Sequence, residues 1–166
     1  MPQMQFEKSE AVAVVSNLIE EDVSYHTLSR VVRKRLLPLL ERLYSEGKLY
    51  YHIGLTSRRD VLVCEELAKF KRLHSNVKII ILETTLYADS IKGFSQSDVK
   101  RYYKAIDCGD LFIYHPIKYG ENMCQKLNLT MLESVDTFIA YGCCTSSEYL
   151  DSCGLDVRYL LTEEEI

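Results

Sequence analysis

The sequence lacks the features of membrane, secreted and metal-binding proteins. It has no run of about 18 apolar residues, the length that a membrane-spanning helix needs. Its first residues, MPQMQFEKSE, contain no apolar stretch after a basic start, so we expect no secretory signal. The six cysteines include no Cys-x-x-Cys pair, and the four histidines have no metal-ligand spacing. These absences predict a cytoplasmic protein with reduced cysteines, no metal, no cofactor and no membrane partner.

An excess of basic residues is also absent. The chain has 20 Lys and Arg residues against 24 Asp and Glu residues, and its formal net charge is −4. Nucleic-acid-binding domains carry a basic surface, so we expect no nucleic-acid partner. A local exception is the run Arg30, Arg33, Lys34 and Arg35. This run predicts either a solvated helix face or a surface that contacts a protein partner.

The length and the hydrophobic pattern indicate one α/β domain. We expect a single domain over residues 1–166, with its core at 11–161 and an acidic tail at 162–166, and homo-oligomerisation stays open. Strands are predicted at 11–16, 49–54, 77–83, 111–115, 137–141 and 156–161. Helices are predicted at 25–46, 60–73, 96–106, 121–134 and 146–152, and we expect Pro38 to kink or interrupt the first. Because the strands are apolar on both faces, they predict an open, mostly parallel sheet of five or six strands with helices on both faces.

The first candidate site is the loop Gly54–Asp60, after the second strand. Ligands of parallel sheets bind beyond the carboxyl ends of the strands. Thr56 and Ser57 supply hydroxyls there, and the following helix start supplies backbone N–H groups for an anion. Arg58 and Arg59 supply guanidinium groups that bind phosphate. A second interpretation stays open: Thr56 or Ser57 caps the helix, and the arginines face water.

The second candidate site is the loop Gly142–Glu148, after the fifth strand. Its small residues allow a ligand to approach the backbone closely, and Thr145 and Ser146 offer hydroxyls. Glu148 then acts as an acid or base, or binds a ribose hydroxyl. The alternative is a capping box that pairs Glu148 with Thr145 or Ser146. The candidate ligand-binding residues also include the two that end the first strand, Ser16 and Asn17.

Three groups of residues stand at spacings that match a known family. The chain has none of the G-x-S-x-G, P-loop or G-x-G-x-x-G motifs. In order along it come Gly54, Asp60 and Glu65, then Tyr119, Asn128, Met131 and Asp136, then Gly142, Thr145 and Glu148. From residue 11 to residue 161 this order resembles the YpsA-like bacterial proteins of the SLOG superfamily. These are Rossmann-like domains related to DprA and to the LOG phosphoribohydrolases.

The resemblance implies a Rossmann-like fold that binds a nucleotide or a nucleotide-derived small ligand, as a sensor or regulatory protein. Through the LOG relatives it implies an alternative: hydrolysis of the N-glycosidic bond of a nucleoside monophosphate, with Glu148 stabilising the ribosyl cation or orienting water. The chain departs from the family where Arg58, Tyr141 and Cys144 replace glycines and Leu127 replaces an arginine. A third alternative is a non-catalytic protein-interaction adaptor.

Overall fold

A computed structural model describes residues 7–16, 25–55, 57–83, 91–114, 130–131, 133–141 and 154–161. Its strands are β1 (Ala11–Ser16), β2 (Tyr50–Gly54), β3 (Lys78–Glu83), β4 (Leu111–Tyr114), β5 (Thr137–Tyr141) and β6 (Asp156–Leu161). After a short 3-10 helix (Lys8–Glu10), its α-helices are α1 (Tyr25–Ser45), α2 (Arg58–Leu73) and α3 (Gln96–Asp107). The six predicted strands and the first three predicted helices are thereby confirmed. The helix predicted at 146–152 lies outside the described residues, as does most of the one predicted at 121–134.

The six strands form one parallel sheet in the order β4-β3-β2-β1-β5-β6. Every neighbouring pair is parallel, and β3 lies inside the sheet between β2 and β4. The prediction of an open parallel sheet is therefore confirmed, and the architecture is Rossmann-like. None of the helices in the described ranges is long and apolar enough to cross a membrane.

The chain changes its direction of travel across the sheet between β4 and β5. From β1, the next three strands (β2, β3 and β4) follow one another outward on one side of β1. β5 pairs with β1 on its other side, and β6 follows β5. Because crossovers between parallel strands are right-handed, connections before and after this reversal cover opposite faces. The packing agrees: α1, α2 and α3 cover the face of Val12, whereas Met131 and Val135 pack on the face of Ala13. Both faces of the sheet are consequently buried.

Pro38 does not interrupt α1, so that part of the sequence prediction is wrong. The helix runs unbroken over Tyr25–Ser45 with Pro38 inside it. Pro38 is exposed, and so is Lys34, whose carbonyl loses its hydrogen-bond donor one turn back. This side of the helix faces water, which can supply the orphaned carbonyl with a hydrogen-bond donor. The buried side of α1 keeps its packing, with Leu36 and Leu40 fully buried.

Gly109 allows the chain to pass close to β3 between α3 and β4. A Cβ atom at this position would lie 2.7 Å from Cδ1 of Ile81 and 2.8 Å from Cζ of Phe112. We expect Gly109→Ala to lower the free energy of unfolding by about 1–3 kcal/mol, measured by urea denaturation, because Ile81 is buried and has to shift. Ile81→Val removes Cδ1, the atom that the new Cβ would meet. This substitution should therefore lower the free energy of unfolding less in the Gly109→Ala variant than in the wild type. Equal costs in the two backgrounds would show that this contact is not the cause.

Candidate functional site

The chain reversal places the candidate site at the carboxyl ends of β1 and β5. Ser16 and Tyr141 pair in the last register position of these strands. In open parallel sheets a crevice forms at such a reversal, because the connections that leave the two strands diverge to opposite faces. β2 lies beside β1 and is parallel to it, so Gly54 ends at the same edge. The strands that precede both candidate loops therefore end at one edge of the sheet.

Part of the predicted site falls on residues that the structure does not describe. Outside the described residues lie Asn17, Thr56, Gly142, Thr145, Ser146 and Glu148. Ser16 is described as the last residue of β1. The described part of the predicted site is therefore this strand end, the end of β2 and the first turn of α2.

Ser57 and Asp60 form a capping box at the start of α2. The backbone N–H of Asp60 donates to Oγ of Ser57 over 3.3 Å, and the backbone N–H of Ser57 donates to Oδ2 of Asp60 over 3.1 Å. The helix therefore begins at Arg58, two residues before the predicted start. This confirms Ser57 as the cap. The carboxylate of Asp60 also occupies the positive end of the helix dipole, which disfavours a phosphate bound to these same amides.

The two neighbouring arginines lie on different sides of α2. Nε of Arg58 is 3.1 Å from Oδ2 of Asp98 on α3. Arg59 is 7% exposed, so the expectation that it faces water is wrong. Phe70, three helical turns further on, lies on the same side of α2 as Arg59 and contacts the ring of Tyr44 on α1. Arg59 therefore lies on the α1 side, towards β1, and Arg58 lies on the side of α3.

Four charged side chains connect α2 to α3. Arg101 donates from Nε to Oε1 of Glu65 over 2.7 Å and from Nη2 to Oε2 over 2.9 Å. Asp98 lies between Arg58 and Arg101, whose Nη1 is 3.7 Å away. The two cations and two anions alternate, so their charges compensate. Glu65, which belongs to the family-like spacing, thus has a bidentate partner on α3.

His52 is a buried polar residue at the centre of the sheet. It stands on β2 between Ala13 of β1 and Ile80 of β3, and it is 1% exposed. Burial lowers the pKa of His52 from 6.5 to about 4, because desolvation disfavours the imidazolium form. The sequence analysis considered this residue only as a metal ligand. Its position inside the apolar strand Tyr50–Gly54 could have indicated that the side chain is buried.

The described cysteines, Cys64 and Cys108, carry free thiols. Burial is the largest cause that raises the pKa of Cys64 to about 12, so its thiol stays protonated at neutral pH. Over the described part of the chain, no group of three or more His, Cys, Asp or Glu side chains is placed to hold a metal ion.

A cavity of about 280 Å³ between α2 and α3 was not predicted from the sequence. Its lining residues are Glu65, Ala68, Lys69, Arg72, Arg101, Lys104, Ala105 and Cys108. The sequence pattern that could have indicated this cavity is a pair of basic residues three positions apart on each of two predicted helices. Lys69 and Arg72 form one pair, Arg101 and Lys104 form the other, and each pair lies on one face of its helix. Only the packing of α2 against α3 brings the two pairs together.

The fold defines a class: a Rossmann-like α/β protein whose strand order reverses between β1 and β5. Comparison with known proteins adds no narrower assignment, since no protein-family profile and no curated protein sequence matches the chain. The resemblance to YpsA-like proteins therefore rests on the spacing of the motifs quoted above.

Proposed function

We propose that this protein binds a nucleotide or a nucleotide-derived small ligand at the carboxyl edge of its sheet, as a sensor or regulatory protein of the YpsA-like type. The observation that carries the proposal is the chain reversal between β1 and β5 in an all-parallel sheet. Rossmann-like sheets bind their ligands at this position. The family-like spacing supports the same edge, because Gly54 ends β2 there and Asp60 belongs to the first turn of α2.

Arg59 is the described residue best placed to bind an anionic group of that ligand. It follows the end of β2 closely and lies on the side of α2 that faces α1 and β1. Because the residue is almost fully buried, a charged hydrogen bond from its guanidinium is weakened little by water. The capping box of Ser57 and Asp60 fixes the turn that carries it. Arg58 lies on the other side of α2, where it pairs with Asp98.

A thermal-shift screen with nucleotides, nucleoside monophosphates, NAD and ADP-ribose tests the proposal. A ligand at 100 times its Kd should stabilise the protein by about 2.7 kcal/mol. In a domain of this size that corresponds to a rise in melting temperature of roughly 5–10 °C. If no compound raises the melting temperature, the adaptor alternative becomes the better explanation, with the exposed residues Arg30, Arg33 and Lys34 of α1 as its contact surface.

The two arginines provide a matched pair of variants. We expect Arg59→Met to raise the Kd of a ligand found in the screen by about 10- to 150-fold, the loss of a charged hydrogen bond worth about 1.5–3 kcal/mol. Arg58→Met, at the neighbouring position, should change the Kd by no more than about twofold. Methionine keeps much of the apolar volume of the side chain, and isothermal titration calorimetry measures both constants. Similar losses in the two variants would contradict a ligand on the α1 side of α2.

A further inference from the structure

The cavity between α2 and α3 extends away from the proposed nucleotide site. α2 begins with Arg58 at the carboxyl edge of the sheet. The residues of α2 that line the cavity start at Glu65 and end at Arg72, which belongs to the last turn of the helix. An α-helix rises 1.5 Å per residue, so Arg58 and Arg72 are about 21 Å apart along the axis. A ligand bound by Arg72 would therefore occupy a second site, near the opposite edge of the sheet.

The shape of the cavity suits a small molecule. Ala68 of α2 and Ala105 of α3 line it with short side chains, which bring the two helix backbones close to an occupant. Cys108, just after α3, adds a third small side chain. The volume of about 280 Å³ is near the lower end of the range for small-molecule pockets.

The charge of the cavity is positive in a protein whose net charge is −4. Its charged lining residues are Lys69, Arg72, Arg101 and Lys104 against Glu65. Glu65 pairs with Arg101 over 2.7 Å, and Lys69 pairs over 2.7 Å with Glu66 beside it. The side chains of Arg72 and Lys104 make neither an ion pair nor a hydrogen bond with any residue in the described part of the chain. Two uncompensated cations, one from each helix, thus border one cavity.

We propose that this cavity binds a small polyanion that carries at least two phosphate or carboxylate groups. Arg72 on α2 and Lys104 on α3 each bind one anionic group, so that the ligand bridges the two helices. The guanidinium of Arg72 suits a bidentate contact with either kind of anion. The body of the ligand lies against Ala68 and Ala105.

Titrations with inorganic pyrophosphate and with citrate, at ionic strength held constant with KCl, test this site. We expect saturable shifts of the backbone amide NMR signals of Ala68, Ala105 and Cys108. Alkylation of Cys108, followed by mass spectrometry, should slow as the cavity fills. The anion that binds more tightly identifies phosphate or carboxylate as the preferred group.

The double variant Arg72→Gln/Lys104→Gln should raise the Kd of the better anion at least tenfold. The matched control is Arg33→Gln/Lys34→Gln, which removes one exposed arginine and one exposed lysine from α1 and should leave the Kd within twofold. Arg59→Met should also leave it unchanged, which separates this site from the proposed nucleotide site. The proposal is overturned if KCl alone reproduces the shifts, if no saturation occurs, or if the double variant binds like the wild type.

Discussion

Replacing Phe70 by alanine should lower the free energy of unfolding by about 3–5 kcal/mol. The Phe70 ring is fully buried on α2 and meets Tyr44 of α1 and Tyr51 of β2 edge-on, with centroid distances of 6.0 and 5.9 Å. His74, just beyond the end of α2, lies 4.9 Å away. The ring thus joins α1 and α2 to the sheet, and its removal leaves a cavity between elements that cannot all move inward. Chemical denaturation followed by circular dichroism measures the loss.

Leu73 provides the matched control for this substitution on the same helix. It is 65% exposed, so Leu73→Ala should change the free energy of unfolding by no more than about 0.5 kcal/mol. A loss below about 1.5 kcal/mol for Phe70→Ala would mean that the surrounding side chains refill the space. That result would contradict a rigid packing of α1 and α2 on the sheet.

Acidification from pH 7 to pH 4 should lower the free energy of unfolding by about 3 kcal/mol through His52 alone. The pKa of His52 is about 4 in the folded protein and 6.5 as its ordinary value, so the unfolded chain takes up the proton first. The contribution is therefore complete above pH 6.5 and falls as the pH drops towards 4. The cause is burial, because the imidazolium loses its hydration between Ala13 and Ile80.

His52→Leu separates this effect from the titration of carboxylates over the same range. The difference in stability between wild type and variant should shift by about 3 kcal/mol in favour of the variant between pH 7 and pH 4. NMR titration of the His52 ring in the wild type gives its pKa directly. A ring that titrates near pH 6.5, or parallel pH profiles for the two proteins, would refute the prediction.

The features that the sequence predicted correctly depend on neighbours along the chain. The cap of α2, for which the sequence offered Thr56 or Ser57, is Ser57, and its bond comes from Asp60 three residues away. The sequence predicted that Pro38 would kink or interrupt α1, and the interruption does not occur although its cause is also local. Proline removes one hydrogen bond wherever it stands, but the cost depends on whether the orphaned carbonyl reaches water. That depends on which side of α1 the rest of the protein covers.

The candidate site was predictable in its position but not in the roles of its arginines. An alternation of strands and helices predicts a parallel sheet, and a parallel sheet has its loops at one carboxyl edge. Arg58 and Arg59 are adjacent and chemically alike, so nothing in their local sequence separates them. The strand order places α2 between α1 and α3, and Arg58 meets Asp98 while Arg59 is buried on the α1 side.

The sequence by itself determined the parallel α/β sheet, because strands that are apolar on both faces have to be covered by helices on both. It also limited the cap of α2 to Thr56 or Ser57, because a cap bonds to residues within one helical turn. The tertiary structure decided the chain reversal at β1 and β5, the side of α2 on which each arginine lies, and the placement of Arg72 and Lys104 at one cavity. These depend on contacts between residues far apart in the chain. Such contacts follow from which order of strands buries the most apolar surface, and no single segment encodes that order.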